Sequence, residues 1–321
     1  MSMKISRRKF LALSIQVAAS SLLAACGQAS TNAIPADAIT PEIVELEYSV
    51  LADGLDFPEG PAFAPNGELW CTELLGGSLV RLTAGKLERI PTGGRPNGMA
   101  FDSQGRAWVC DSGQNAIRRY DPSSGTWQTI LERIDGEALL APNDLVFDRK
   151  GNLLFTCPNF ASEEPEGYIV CLTERGQARK IGTGYYRPNG LEFVDGGKAL
   201  VVADTLQKTL FKGCWDADSL SWQEPSVWAK VGGKDGPDGM ALGGDGLLYQ
   251  AVYGDGVLRV VEKGGAVVRE IRTMGSNPTN VAIDPTGKLG LVVTETEKGR
   301  LLNFPGVLPG AVIYTGARVW P

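Results

Sequence analysis

The chain contains no histidine. Imidazole general bases, Ser-His-Asp and Cys-His nucleophilic pairs, and His-ligated zinc, copper or iron are excluded with it. Positive charge is in the minority, with 31 Lys and Arg against 37 Asp and Glu. The longest apolar stretch, residues 10–25, is shorter than the ~20 residues a membrane span needs. Chemistry in this chain is therefore left to carboxylates, amides, hydroxyls, thiols, Lys, Arg, or a metal held by oxygen.

Glycine is abundant, at 41 of 321 residues, and there are 19 prolines. That glycine share is nearly twice the usual ~7%. With 43% hydrophobic residues, it favours many short strands joined by tight turns over a helical bundle. Seven Trp, eight Tyr and ten Phe rule out a wholly disordered chain.

The N-terminus reads Ser6-Arg7-Arg8-Lys9-Phe10, runs apolar to Ala25, and ends Leu23-Ala24-Ala25-Cys26. A basic start, a short apolar region and small residues before a cut site predict a secretory signal over residues 1–25. The paired arginines resemble a twin-arginine signal. Leu-Ala-Ala-Cys resembles a bacterial lipobox, with Cys26 as the lipidated mature N-terminus. Residues 26–42 read as a flexible tether and 43–321 as one domain. The expectation is an exported bacterial lipoprotein on the periplasmic or outer side of a membrane, anchored by lipid alone. Cleavage removes four basic residues and leaves 27 against 37 acids, a charge of −10. Such a chain does not track phosphate backbones, and nucleic acid is not expected as a partner. Five further cysteines follow Cys26, at 71, 110, 157, 171 and 214. Cys157 and Cys171 flank a candidate hairpin and could pair; buried thiols are the commoner alternative.

Six segments repeat. They begin at Pro58, Pro96, Pro142, Pro188, Pro237 and Pro278, at spacings of 38, 46, 46, 49 and 41 residues. Nine residues after each proline stands a glycine: Gly67, Gly105, Gly151, Gly197, Gly246 and Gly287. The fifth residue after each proline is Phe, Leu or Ile. Each unit thus opens with a short apolar strand and a turn that needs positive φ at its glycine. Three more strands fit before the next proline. Four strands at a period near 45 are the signature of a propeller blade, and six units predict an all-β six-bladed β-propeller. Residues 43–51 are expected to close the ring as an outer strand of the last blade, in competition with 312–315.

In a propeller the first strand of each blade lines the central channel. The residue after each proline is then presented six times around one ring: Glu59, Asn97, Asn143, Asn189, Asp238 and Thr279. Every member carries a side-chain oxygen. Turn-forming Asn and Asp after Pro would explain part of this column without function, but Glu59 is a poor turn former. Carboxylate and amide oxygens suit a hard divalent cation, Ca²⁺ first, with Mg²⁺, Mn²⁺ or Zn²⁺ as alternatives.

Phe57-Pro-Glu-Gly-Pro, Pro142-Asn-Asp, Arg187-Pro-Asn-Gly and Gly236-Pro-Asp-Gly-Met resemble the senescence marker protein 30, gluconolactonase and luciferin-regenerating enzyme family over about residues 45–305. Paraoxonases and diisopropylfluorophosphatase-like enzymes resemble it more distantly. The resemblance implies a calcium-dependent propeller hydrolase with metal ligands at Glu59, Asn143, Asn189 and Asp238. It also implies Asp238 as the base that activates water. Asn97 and Thr279 would then face substrate or support the ligands from behind. Two departures matter: paraoxonase-type histidines are missing, and Ala241 stands where phosphotriesterase relatives carry a carboxylate for a second calcium.

The second strand of each unit returns to the same mouth and ends at Glu73, Asp111, Asn159, Asp204, Tyr253 and Glu295. Glu73, Asn159 and Asp204 are candidate substrate contacts with Asn97, and Glu73 and Asp204 are rival bases. Capping of loops is the commoner fate of such acids. Arg95 and Arg187, two residues before ring members, could hold a substrate carboxylate, but a salt bridge to a neighbouring loop acid is the commoner expectation. The leading reading is a monomeric lactonase opening a sugar-lactone or gluconolactone-like ester. A surface-tethered binding module and a phosphotriesterase-like hydrolase are the alternatives.

Overall fold

The computed structural model describes residues 40–83, 85–307 and 310. The signal segment, the lipobox Cys26, most of the tether and residues 312–315 lie outside the described residues. Within them there is no helix, and the strands form six four-stranded blades, with Glu42–Val44 added at the edge of one and a separate two-stranded ribbon of Arg133–Ile134 and Glu137–Ala138. Blade one is Pro58–Phe63, Leu69–Glu73, Ser78–Thr83 and Lys86–Pro91. Blades two, three, four and five have first strands Pro96–Phe101, Leu145–Phe147, Pro188–Val194 and Gly236–Leu242, each followed by three antiparallel partners. Blade six is Pro278–Ile283, Leu291–Glu295, Arg300–Phe304 and, from the N-terminal side, Ser49–Ala52.

The closing segment differs in part from expectation. Ser49–Ala52 does supply the fourth strand of blade six, with Ser49 opposite Asn303 and Val50 opposite Leu302. Glu42–Val44 instead runs parallel to the outer strand of blade five, Ile43 opposite Glu270. The stretch 45–48 carries two acids and no pairing, so one predicted strand becomes two short ones on neighbouring blades.

Large apolar side chains pack between consecutive blades. Trp108, Phe147 and Phe155 share one cluster between blades two and three, and Leu200, Trp215 and Trp222 share another with residues of blade three. All six repeat glycines have φ between 72° and 85°, the region that the hairpin turn demands and that only glycine occupies without strain. Cys157 and Cys171 do not pair. Cys157 lies opposite Tyr168 and Cys171 opposite Leu154, so their side chains enter different interblade clusters, and both thiols are free and buried.

Side-chain hydroxyls join blade to blade. Thr72 Oγ1 donates to the Asn97 carbonyl at 2.7 Å, and Thr156 Oγ1 to that of Asn189 at 2.8 Å. Thr205 Oγ1 donates to Pro237 at 2.7 Å. Thr279 Oγ1 closes the circle onto the Pro58 carbonyl at 2.8 Å. Thr72 and Thr156 stand on second strands, Thr205 just after one and Thr279 on a first strand, and each reaches the first strand of the next blade, where the ring residues lie.

Candidate metal centre

The first strands are not regular. Pairing shifts register between Glu59 and Ala62, Pro96 and Met99, Pro188 and Leu191, Pro237 and Met240, and Pro278 and Asn280. A bulge at this place breaks the alternation of side chains and re-aims two consecutive residues. The position after the ring residue therefore reaches the channel as well. It reads Gly60, Gly98, Asp144, Gly190, Gly239 and Asn280.

The glycines here make room. A Cβ on Gly98 would lie 2.3 Å from Asp144 Oδ1, and one on Gly239 would lie 2.1 Å from Asn280 Cγ. Asp144 and Asn280, on blades three and six, meet in the space so left: Asn280 Nδ2 donates to Asp144 Oδ2 at 3.3 Å. Neither residue figured among the predicted ligands. The signal was present as two polar side chains in a column otherwise made of glycine.

Around this pair the ring residues converge. Glu59 is 4% exposed, hydrogen-bonds Asn280, and faces both Asp238 and Asp144. Asp238 is half-buried and hydrogen-bonds the Asn189 side chain. Asn143 is buried beside Asp144, with its carbonyl accepting from Gly98 N at 2.7 Å. Asn97 and Thr279 are buried too; the Asn97 carbonyl accepts the interblade bond from Thr72, and the Thr279 hydroxyl bonds Pro58 of blade one and Thr294 of its own blade. The Tyr253 hydroxyl, bonded to Thr296, lies within electrostatic reach of Asp238 and Glu59.

Burial and mutual repulsion control the carboxyls. Burial, with Asp238 and Asp144 opposite, holds Glu59 well above the usual carboxylate range. Burial and the Asp144 charge push Asp238 up to about 8, against the hydrogen bond from Asn189. Asp144 itself is raised to about 6 by burial. Among the described residues none of the three is paired with Lys or Arg. Three enclosed acids without a counter-charge are a costly arrangement unless protonated or joined by a cation. Oxygen-only donors of this kind fit a hard divalent ion. Among the described residues no three Asp, Glu or Cys side chains gather closely enough to hold an ion alone, so amide oxygens must complete any such set.

The acids at the ends of the second strands serve the loops. Glu73 is 2% exposed, accepts a two-pronged pair from Arg89 at 2.9 Å, and receives Asp56 N at 3.1 Å. Asp204 is fully buried and accepts from the backbone N–H of Tyr186, Arg187 and Gln207. Asp111 and Glu295 cap their loops in the same way. The oxygens of Glu73 and Asp204 are thus engaged by loop donors. Asn159 is half-buried in a left-handed conformation at φ 51°, its Nδ2 donating to Glu166 Oε2 at 2.6 Å. It lines a cavity of about 770 Å³ with Arg95, Leu140 and Phe160, in the loops on the ring side of blades two and three. A smaller hollow of about 310 Å³ lies among the repeat hairpin turns at the other end of the strands, away from the ring.

A closed six-bladed ring with a carboxylate and amide cluster on its axis defines the class: a β-propeller with a polar site at one mouth of its channel. The chain belongs to the SMP-30/Gluconolactonase/LRE-like family, whose model matches residues 57–297. It is 28% identical over 174 residues to a gluconolactonase of Zymomonas mobilis, an alignment covering 46% of this chain and about half, 49%, of that protein's length. It is 27% identical over 299 residues to the diisopropyl-fluorophosphatase of Loligo vulgaris, covering 82% of this chain and 93% of that one. Among solved structures, the calcium-binding protein regucalcin from Agrobacterium tumefaciens superposes with a TM-score of 0.74 at 19% identity, over 85% of this chain and 97% of its own. The sequence relatives support a hydrolase.

Proposed function

We propose that the protein is a metal-dependent hydrolase that opens lactones, with Glu59, Asn143, Asn189 and Asp238 holding a divalent cation, Ca²⁺ by preference. The observation that supports this most is the gathering of Glu59, Asp144 and Asp238 with Asn189 and Asn280 on the channel axis, with no basic partner. When bound, the cation would supply Lewis-acid polarisation of the ester carbonyl.

The chain's own residues do the rest. Asp238, half-open to the mouth, takes the proton of the attacking water and later returns it to the leaving alkoxide. With Glu73 and Asp204 engaged by loop donors, Asp238 is the acid free for that task. Asn189 orients the Asp238 carboxylate through its hydrogen bond. Asn280 and Asp144 fill the channel behind the ring, so water and substrate meet Asp238 from one side only. Asn97, on the blade beside Asn143, is a contact for the substrate ring.

The test is a pH-drop assay over a lactone panel, with and without chelator. Acid release that stops on chelation and in Asp238→Asn supports the reading; full activity in both sinks it. A phosphotriester in the same panel examines a second reading, favoured by the long alignment with the fluorophosphatase. Faster turnover of the phosphotriester would replace the lactone assignment. The lipid-anchored, exported location and the monomeric state are proposed with it, on the lipobox at Cys26 and the closed ring.

A further inference from the structure

Among the described residues, two guanidinium groups at the mouth have no anionic partner. Arg95 is exposed and Arg187 half-buried, and among the described residues neither forms an ion pair. Their backbones are fixed: Arg95 N donates to Asp111 Oδ1 at 2.9 Å and Arg187 N to Asp204 Oδ1 at 3.2 Å. The Arg187 Nε is buried and makes no hydrogen bond. In the loop that carries Phe160, Glu166 accepts from Asn159, and Glu163 and Glu164 are exposed and form no ion pair with either arginine. A buried guanidinium donor without an acceptor is costly, and a planar anion is what its geometry accepts.

Apolar side chains stand beside these arginines. Leu140 is 36% exposed, Phe160 46% and Tyr186 39%. The Arg187 guanidinium lies 5.7 Å from the centre of the Phe160 ring. Phe160 and Leu140 line the 770 Å³ cavity with Arg95. Asn159 N bonds the Leu140 carbonyl at 3.3 Å, so the two apolar loops are tied together. Large apolar groups left open at the rim of a polar cleft mark a ligand that covers them. An aryl or alkyl body covers more of that apolar area than a polyhydroxylated one does.

We infer that the site takes an amphiphilic anion: a lactone whose ring bears an apolar body and a carboxylate, the body covered by Leu140 and Phe160 and the carboxylate read by Arg187 and Arg95. This rests on the lactonase reading for the reaction but not for the binding. Substrate of this kind would be supplied by chemistry that cyclises an aryl- or alkyl-bearing dicarboxylic hydroxy acid.

The test is calorimetric binding, without turnover, of 3-phenylpropanoate, 3-phenylpropan-1-ol and gluconate to the purified protein, in calcium and in chelator. The expected order is 3-phenylpropanoate tighter than either of the others by about tenfold, with a loss of about tenfold in Arg187→Gln. Arg95→Gln should lose a smaller factor, and Phe160→Ser should weaken the phenyl ligands alone. Arg95 is exposed, so its variant keeps the test alive if Arg187→Gln fails to fold. Gluconate binding as tightly as 3-phenylpropanoate, or unchanged 3-phenylpropanoate binding in both arginine variants, overturns the inference. Arginine-dependent binding in a protein that hydrolyses no lactone would overturn only the lactonase reading.

Discussion

Gln250 Nε2 donates to the backbone carbonyl of Asp238 at 3.0 Å, and also to those of Gly239 at 3.0 Å and Ala251 at 2.8 Å. Gln250 is fully buried in a second strand, at a position that is Cys71, Val109, Phe155, Val202 or Val293 in the other blades. It grips the bulge that aims Asp238 into the channel. Gln250→Leu keeps the volume but leaves those carbonyls without this donor, at a cost of about 1–3 kcal/mol. The variant should melt lower and bind Ca²⁺ more weakly by titration calorimetry. Parental melting and binding would mean that the strand pairing alone holds the bulge.

Calcium titration of four ring variants tests the proposed ligands. Glu59→Gln and Asp238→Asn each leave one ring carboxylate against a divalent charge, and affinity should fall by at least roughly tenfold. Asn143→Ala and Asn189→Ala remove neutral donors and should cost less. Unchanged binding in both carboxylate variants would refute the site.

Stability should fall as pH rises through the titration of Glu192. This half-buried residue lies on the first strand of blade four, three residues beyond Asn189. Burial raises its carboxyl to about 7, more than the bond from Phe193 N at 2.7 Å lowers it. The folded chain therefore holds this proton more tightly than the unfolded chain, whose value is near 4.5. Native stability is lost between about pH 4.5 and 7 and is flat above. Glu192→Gln removes that loss, so the variant should gain on the parent by on the order of 2–3 kcal/mol between pH 4 and pH 8. Melting curves at both pH values, in metal-free buffer, read the difference.

Gly239→Ala should displace Asn280 from the axis, because its Cβ would overlap that side chain at 2.1 Å. The loss should be about 1–3 kcal/mol, with weakened Ca²⁺ binding. Gly264→Ala, whose Cβ meets only the flexible Glu262 carboxylate at 3.3 Å, serves as the near-neutral control.

Cys26→Ser should move the protein from the membrane fraction to the soluble exported fraction. A wild-type protein found wholly in the soluble fraction would refute the lipobox reading.

The blade count and hairpin register were legible because the same Pro and Gly recur in every unit, and each serves a backbone need that other residues meet poorly. The column that contains Glu59, Asn143, Asn189 and Asp238 stood out for the same reason, as one position repeated six times about an axis; its role in holding a cation is the proposal made above. Asn280 was not, because strand alternation assigns consecutive residues to opposite faces and only the bulge overrides it, and Asp144 was not, because it stands just before the first strand of blade three, where no alternation guides the reading. Glu73 and Asp204 show the reverse case. Their place at the mouth was read correctly, but an acid that caps a loop and an acid that meets substrate look alike in sequence. Arg95 and Arg187 went against the commoner expectation of pairing with loop acids, since Asp111 and Asp204 take their backbone N–H groups instead.

Closure of the ring by Ser49–Ala52 sets the order in which the molecule can be completed. Ser49 lies 254 residues before Asn303, whose Nδ2 reaches its hydroxyl at 3.5 Å. At about 5–20 residues per second, a ribosome needs some 13–50 s to make the partner of a strand already emerged. Until then the outer strand of blade six has no blade to join, and the last interblade bond, Thr279 to Pro58, has no donor. Five blades can assemble during synthesis, but the circle stays an open arc with two raw edges. An export route that moves only finished proteins would therefore have to wait for the final sixth of the chain.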